Sequence, residues 1–147
     1  MKNSNQTTIN YLNKLISIIE MGKESYQQAA EKVLDPRLKE EILKIYQEKH
    51  EFSVQLQQEV IKLNGVPKKD INQVEALRIL GPDLKSALTS GDRFAVMNVC
   101  ISVEEIAIEE YKNTLENQEF PLRIKEVITQ QLDGIERAFL FMATQFV

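Results

Sequence analysis

The sequence predicts an all-α fold, an antiparallel four-helix bundle, and three observations lead there. Apolar residues recur at alternating spacings of three and four along four long stretches, which is the period of one helix face. Corners containing proline punctuate them at Asp35-Pro36, Gly65-Val66-Pro67 and Phe120-Pro121. Two segments also read as copies of each other: Tyr26, Glu31, Pro36, Arg37, Leu38, Lys39, Glu40 and Ile42 recur about 85 residues later as Tyr111, Glu116, Pro121, Arg123, Ile124, Lys125, Glu126 and Ile128. Each copy runs out of one helical pattern, through a corner and into the next, so the chain reads as two helical hairpins.

The first helix is expected to open near Thr7 or Thr8, whose hydroxyls can cap the free amides of a first turn. Its apolar stripe is Ile9, Leu12, Ile16, Ile19, Tyr26, Ala30 and Val33, broken only at Lys23. Asp35 caps the second helix and Pro36 opens it, because proline at the first helical position gives up no hydrogen bond. There the stripe is Leu38, Ile42, Ile45, Phe52, Leu56, Val60 and Leu63. Lys49 falls within it, and its aliphatic stem is expected to line the core while its head reaches water. Asn64-Gly65-Val66-Pro67 ends the helix, with Gly65 expected to take the left-handed terminal conformation. The third helix, from Ser90-Gly91-Asp92, carries Val96, Val99, Val103, Ile106 and Tyr111. The fourth, from Phe120-Pro121, has the most regular stripe: Ile128, Leu132, Ile135, Phe139, Met142 and Phe146.

Between Val66 and Gly91 the pattern weakens: Val74, Leu77 and Leu80 predict one short helix, Gly81-Pro82 breaks it, and Leu84, Ala87 and Leu88 predict another turn or two. This segment reads as a long crossover. Two antiparallel hairpins joined by one long crossover define the ferritin-like topology. The reading is one domain over residues 1–147, with hairpins at 7–64 and 92–147 and the crossover at 65–91.

A net charge of −4, from 18 basic and 22 acidic residues interspersed along the helices, offers no basic stripe for nucleic acid and no polybasic membrane anchor. The polar N-terminus Met1-Lys2-Asn3-Ser4-Asn5-Gln6 lacks the apolar core of a signal peptide, and no stretch is apolar enough to span a bilayer. Those features predict a cytoplasmic protein. Cys100 is the one cysteine, so an internal disulfide is ruled out.

Metal-handling bundles of the ferritin-like type present inward Glu residues and Glu-x-x-His motifs, because hard metals need a cage of carboxylates and imidazoles. This chain contains no Glu-x-x-His: its single histidine is His50, with Gln47 three residues before it. A reduced set of ligands can still be drawn from Glu24, His50, Glu104 and Glu136, one per helix, for iron, manganese or zinc. Against that set, carboxylates at helical spacing usually form a solvated face, and Phe139 stands in the core stripe where a ligand would sit. Cys100, between Val99 and Ile101, is expected to pack as a small apolar residue. Tyr26 and Tyr111 are expected to bury their rings and find partners for their hydroxyls. Neither a Gly-rich phosphate loop nor a Gly-x-Ser-x-Gly elbow is present.

Taken in order, Leu12-Asn13-Lys14-Leu15-Ile16, Gly22 with Tyr26 and Ala29-Ala30-Glu31, Asp35-Pro36-Arg37-Leu38-Lys39, Glu48-Lys49-His50-Glu51-Phe52 and Gly65-Val66-Pro67 form a recognisable series. It continues through Asp83-Leu84-Lys85, Ser90-Gly91-Asp92, Glu104 with Tyr111, and Phe120-Pro121. The series resembles an uncharacterised family of bacterial ferritin-like four-helix proteins, a domain of unknown function. The resemblance implies a fold and no reaction. It also implies two departures: many members resemble one another in a histidine late in the fourth helix, where this chain has Phe139, and in an Arg-Gly-Trp-like crossover segment, where it has Leu80-Gly81-Pro82. Glu104 matches the third-helix glutamate of that pattern.

The functional expectation is a non-catalytic bundle without a cofactor, acting through self-association, as a homodimer, or through protein binding. The alternative is the reduced metal site above. A third reading places a small apolar ligand under the crossover between Val66 and Gly91.

Overall fold

The computed structural model describes residues 2–68, 93–117 and 119–145, all in helices or the corners between them. Four helices are present among the described residues: α1 (Lys2–Lys32), α2 (Pro36–Lys62), α3 (Arg93–Asn117) and α4 (Leu122–Thr144). The crossover predicted between Val66 and Gly91 falls mostly on residues 69–92, outside the described residues, as does the helix start predicted at Ser90-Gly91-Asp92.

Helix α1 begins at Lys2, five residues before the predicted cap at Thr7, and Thr8 is buried within it. The corner after it forms as expected. The Asp35 carboxylate accepts a hydrogen bond from the Arg37 backbone N–H at 2.9 Å, with Pro36 at the first helical position. Helix α2 ends differently from the prediction: Asn64, at φ 63°, takes the left-handed position. The Asn64 N–H reaches the Ile61 carbonyl and the Gly65 N–H the Val60 carbonyl, both at 2.9 Å, which closes the helix in a Schellman arrangement. Gly65 serves a packing need instead. A Cβ on it would lie 2.8 Å from Ile9 Cδ1, so its bare backbone lets the end of α2 settle onto α1.

Helix directions follow from cross-helix contacts. The Asn13 side chain donates to the Val66 carbonyl at 3.1 Å and accepts from the Lys68 N–H at 2.9 Å, while Gly22 lies against Lys49, so α1 and α2 are antiparallel. Lys14 pairs with Glu110 at 3.1 Å and Gly22 faces Val103, so α1 and α3 are antiparallel. Glu59 holds Arg123 with contacts of 2.9 and 3.0 Å while Phe52 packs at Gly134, so α2 and α4 are antiparallel as well. Around the bundle the order is α2, α1, α3, α4, which places α2 and α3 on a diagonal and makes them parallel. The end of α2 and the start of α3 consequently lie at opposite ends of the bundle.

The core divides into two apolar clusters. One gathers Leu12, Ile16, Ile19, Leu56, Val60, Tyr111, Ile128 and Ile135; the other gathers Tyr26, Ala30, Val33, Ile42, Val96, Met97, Cys100 and Met142. Most stripe residues read from the sequence are buried or half-buried in one of them; Val99 and Val103 are buried outside both, and Phe146 lies outside the described residues. Phe139 departs from expectation. It is only half-buried, on the flank of α4, because Ile135, Ala138 and Met142 take the inward positions.

Candidate functional site

The layer between the two clusters is polar. Lys49 sits on α2 midway between the inward residues Ile42 and Leu56, and Glu104 sits on α3 between the inward residues Cys100 and Ala107. Helical periodicity therefore aims both charges at the bundle axis. Their side chains are 2% and 0% exposed, and Lys49 Nζ lies 2.5 Å from Glu104 Oε1. The expectation that the Lys49 head would reach water is corrected. Its nearest full counter-charge lies across the diagonal of the bundle, and the stem points there.

Two neighbours make the crossing fit. At Gly22 of α1 a Cβ would stand 3.2 Å from Lys49 Cδ and 3.3 Å from both Lys49 Cε and Val103 Cγ1. The missing side chain opens the channel through which the lysine stem passes over α1 to reach α3. Tyr26, one helical turn further on, donates its hydroxyl to Glu104 Oε2 at 2.9 Å. Its ring lies beneath the ammonium, with Lys49 Nζ 5.4 Å from the centroid. One carboxylate thus has both oxygens engaged, one by an ammonium and one by a phenol.

This arrangement governs the titrations around it. Burial pushes the Tyr26 phenol well above its usual range, and the negative charge and hydrogen bond of Glu104 add to that. Tyr111, whose hydroxyl donates to Gln131 Oε1 at 2.7 Å, is raised by burial and then by Glu104. Burial and Glu104 also raise the Cys100 thiol, whose Sγ lies 3.6 Å from the Ser25 carbonyl. Glu48, on the α4 side of α2, is raised by partial burial, with Arg137 and Lys49 pulling the other way.

Two predictions follow directly. Cys100 should resist thiol reagents at pH 8 in the folded protein and react at the rate of unfolding, because a buried, protonated thiol is a poor nucleophile; fast stoichiometric labelling under native conditions would contradict its placement. Tyr26 and Tyr111 keep their protons in the folded state, while in the unfolded chain a tyrosine loses its proton near pH 10. The folded state therefore binds more protons above about pH 10, and stability falls as pH rises from there. Absorbance at 295 nm should show these two phenols ionising together with the loss of helical circular dichroism.

The four residues considered as metal ligands are placed very differently. Glu104 is buried as described, Glu136 is half-buried on α4, and Glu24 and His50 are exposed. His50 Nδ1 lies 3.5 Å from Lys23 Nζ, at the α1–α2 surface. Among the described residues, no group of three or more His, Cys, Asp or Glu is disposed to hold an ion. The surroundings of Glu104 also do not fit a divalent metal, since the group against Oε1 is itself a cation.

Lys49 is the residue that sequence reasoning left out of the site. Its signal was present: Lys49 falls within the apolar stripe of α2, and Glu104, of opposite sign, already stood among the carboxylates drawn as inward ligands. A second polar contact, near Tyr111, was partly foreseen. There Gln131 Nε2 donates to the Phe52 carbonyl at 3.2 Å and to Gln55 Oε1 at 3.0 Å, tying α4 to α2.

Fold and site together define, among the described residues, an all-α protein of four helices with a buried, internally neutralised ion pair between its two apolar clusters. Residues 7–117 match the family described as Domain of unknown function (DUF2383), and the chain belongs to that family. No curated protein matches the chain. No helix among the described residues is long and apolar enough to cross a membrane.

Proposed function

We propose that this protein is a non-catalytic, ferritin-like bundle of one domain over residues 1–147, which works in the bacterial cytoplasm through its surface, by self-association or by binding another protein. The observation that carries this reading is the engagement of Glu104 by Lys49 and Tyr26. A ferritin-type centre uses its inward carboxylates to neutralise metal ions. Here an ammonium of the chain supplies the positive charge, and the carboxylate has no free oxygen to offer. The acidic net charge of −4 fits a protein partner better than nucleic acid.

The competing reading is a carboxylate and imidazole site for iron, manganese or zinc built from Glu24, His50, Glu104 and Glu136. Elemental analysis of protein purified without a histidine tag separates the two. Less than a tenth of an equivalent of metal is the expected result, on the order of adventitious carry-over given so few donors. Stoichiometric metal that is lost in Glu104→Ala would overturn the proposal and establish the competing site.

A further inference from the structure

The two hairpins match in burial as well as in sequence. Shifting α1 onto α3 by 85 positions pairs Leu12 with Met97, Leu15 with Cys100 and Tyr26 with Tyr111, all buried. Shifting α2 onto α4 by 86 positions pairs Leu38 with Ile124, Ile42 with Ile128 and Leu56 with Met142, again all buried. Each of these pairs takes one member from each apolar cluster. The hairpins are therefore related by a pseudo-two-fold axis perpendicular to the bundle, which exchanges the clusters and agrees with the antiparallel pairs α1–α3 and α2–α4.

The polar layer breaks that symmetry. Carried through the same shifts, Glu104 falls on Ile19 and Lys49 on Ile135, both buried in the first cluster. One diagonal of the bundle, from α2 to α3, holds an ion pair, while the equivalent diagonal, from α4 to α1, holds two isoleucines. A bundle made of two first hairpins would set each Lys49 opposite Ile19, and one made of two second hairpins would set each Glu104 opposite Ile135. Either assembly buries two charges without a counter-charge, which is strongly destabilising. A first hairpin packed on a second neutralises the layer.

We infer that Lys49 and Glu104 form a pairing code, which directs the first hairpin onto a second hairpin and rejects another copy of itself. The apolar faces do not discriminate, since both hairpins present matching stripes, so the unpaired charge in each wrong assembly supplies the selection. The code acts between two copies of the chain as it does within one. Residues 69–92, about 80 Å long when extended, let a hairpin reach its counterpart on a second copy. It is independent of the surface contacts proposed above.

Two reversed variants of the full chain test it. Lys49→Glu puts two carboxylates in the layer and Glu104→Lys puts two ammoniums there, so each alone should refold poorly from urea, with a midpoint well below that of the wild type. Refolded together in equal amounts, they should rescue each other as a hairpin-swapped heterodimer, in which every layer again holds one charge of each sign. Native mass spectrometry is expected to find the mixed dimer about tenfold or more above either like dimer. A mixture that refolds no better than its components, or dimers in the statistical proportions that surface association gives, would overturn the code. A charge-free chain, Lys49→Ile with Glu104→Ile and Tyr26→Phe, provides a second measurement that needs neither reversal to fold. Refolded at high concentration, it should trap about tenfold more dimer than the wild type, because like hairpins are no longer penalised. Dimer no more abundant than in the wild type would overturn the code as well.

Discussion

Lys49→Met is expected to lower the unfolding free energy by about 3–5 kcal/mol, because it leaves Glu104 charged and buried without its cation. For a chain of this length that corresponds to a loss on the order of 10 °C in Tm. The aliphatic stem is replaced nearly in kind, so lost packing contributes little. Glu104→Leu should cost a similar amount for the converse reason: it strands the ammonium and removes the acceptor of the Tyr26 hydroxyl. The informative comparison is the combined variant. Lys49→Met with Glu104→Leu and Tyr26→Phe removes every polar group of the layer, and it should unfold at or above the wild-type midpoint, by up to about 4 kcal/mol. Urea denaturation of the four proteins measures this. A Lys49→Met variant within about 1 kcal/mol of wild type would mean that the pair is hydrated and that its burial has been misread.

Gly22→Val carries the second large effect, expected at about 3 kcal/mol. Even a Cβ at this position would press on Lys49 Cδ and Cε and on Val103 Cγ1 at 3.2–3.3 Å. A branched side chain overfills the gap, a change that typically costs about 1–3 kcal/mol by itself. It must also push the lysine stem off its line to Glu104, which adds the penalty of a weakened ion pair. The two disruptions share one cause, so Gly22→Val and Lys49→Met should be strongly non-additive: in the Lys49→Met background the valine should cost much less, because a flexible thioether side chain with no fixed target can move aside. Additive losses would show that Gly22 serves only the local packing of α1 against Val103. Gly22→Ala is the milder companion, where the gain from restoring an ordinary helix residue, about 1 kcal/mol, opposes the contact with Lys49.

These two effects mark the boundary between what could be read locally and what could not. The stripes of α1 through α4 were legible because an inward position repeats with the helix period, whatever lies opposite. The Asp35-Pro36 corner was legible because capping acts within a few residues. At the end of α2, Asn64 and Gly65 could exchange roles, since asparagine also tolerates the left-handed conformation. Phe139 was read as inward from a spacing that fits two neighbouring stripes equally well, and packing chose the one through Ala138. The site failed in a more basic way: Glu104 could be singled out, but Lys49 was given the usual fate of a lysine on an apolar stripe, with its head in water.

By itself, then, the sequence determined four helical stretches and most of the residues on them that turn inward, because those properties depend on neighbours within a turn or two. It also placed charges at two inward positions. Only the tertiary structure decided that these charges meet. Lys49 and Glu104 lie 55 positions apart on helices that share no edge of the bundle. Whether a buried charge is neutralised by water, by a metal ion or by another side chain depends on the relative placement of three helices and on the gap left by one glycine, and no local periodicity encodes that.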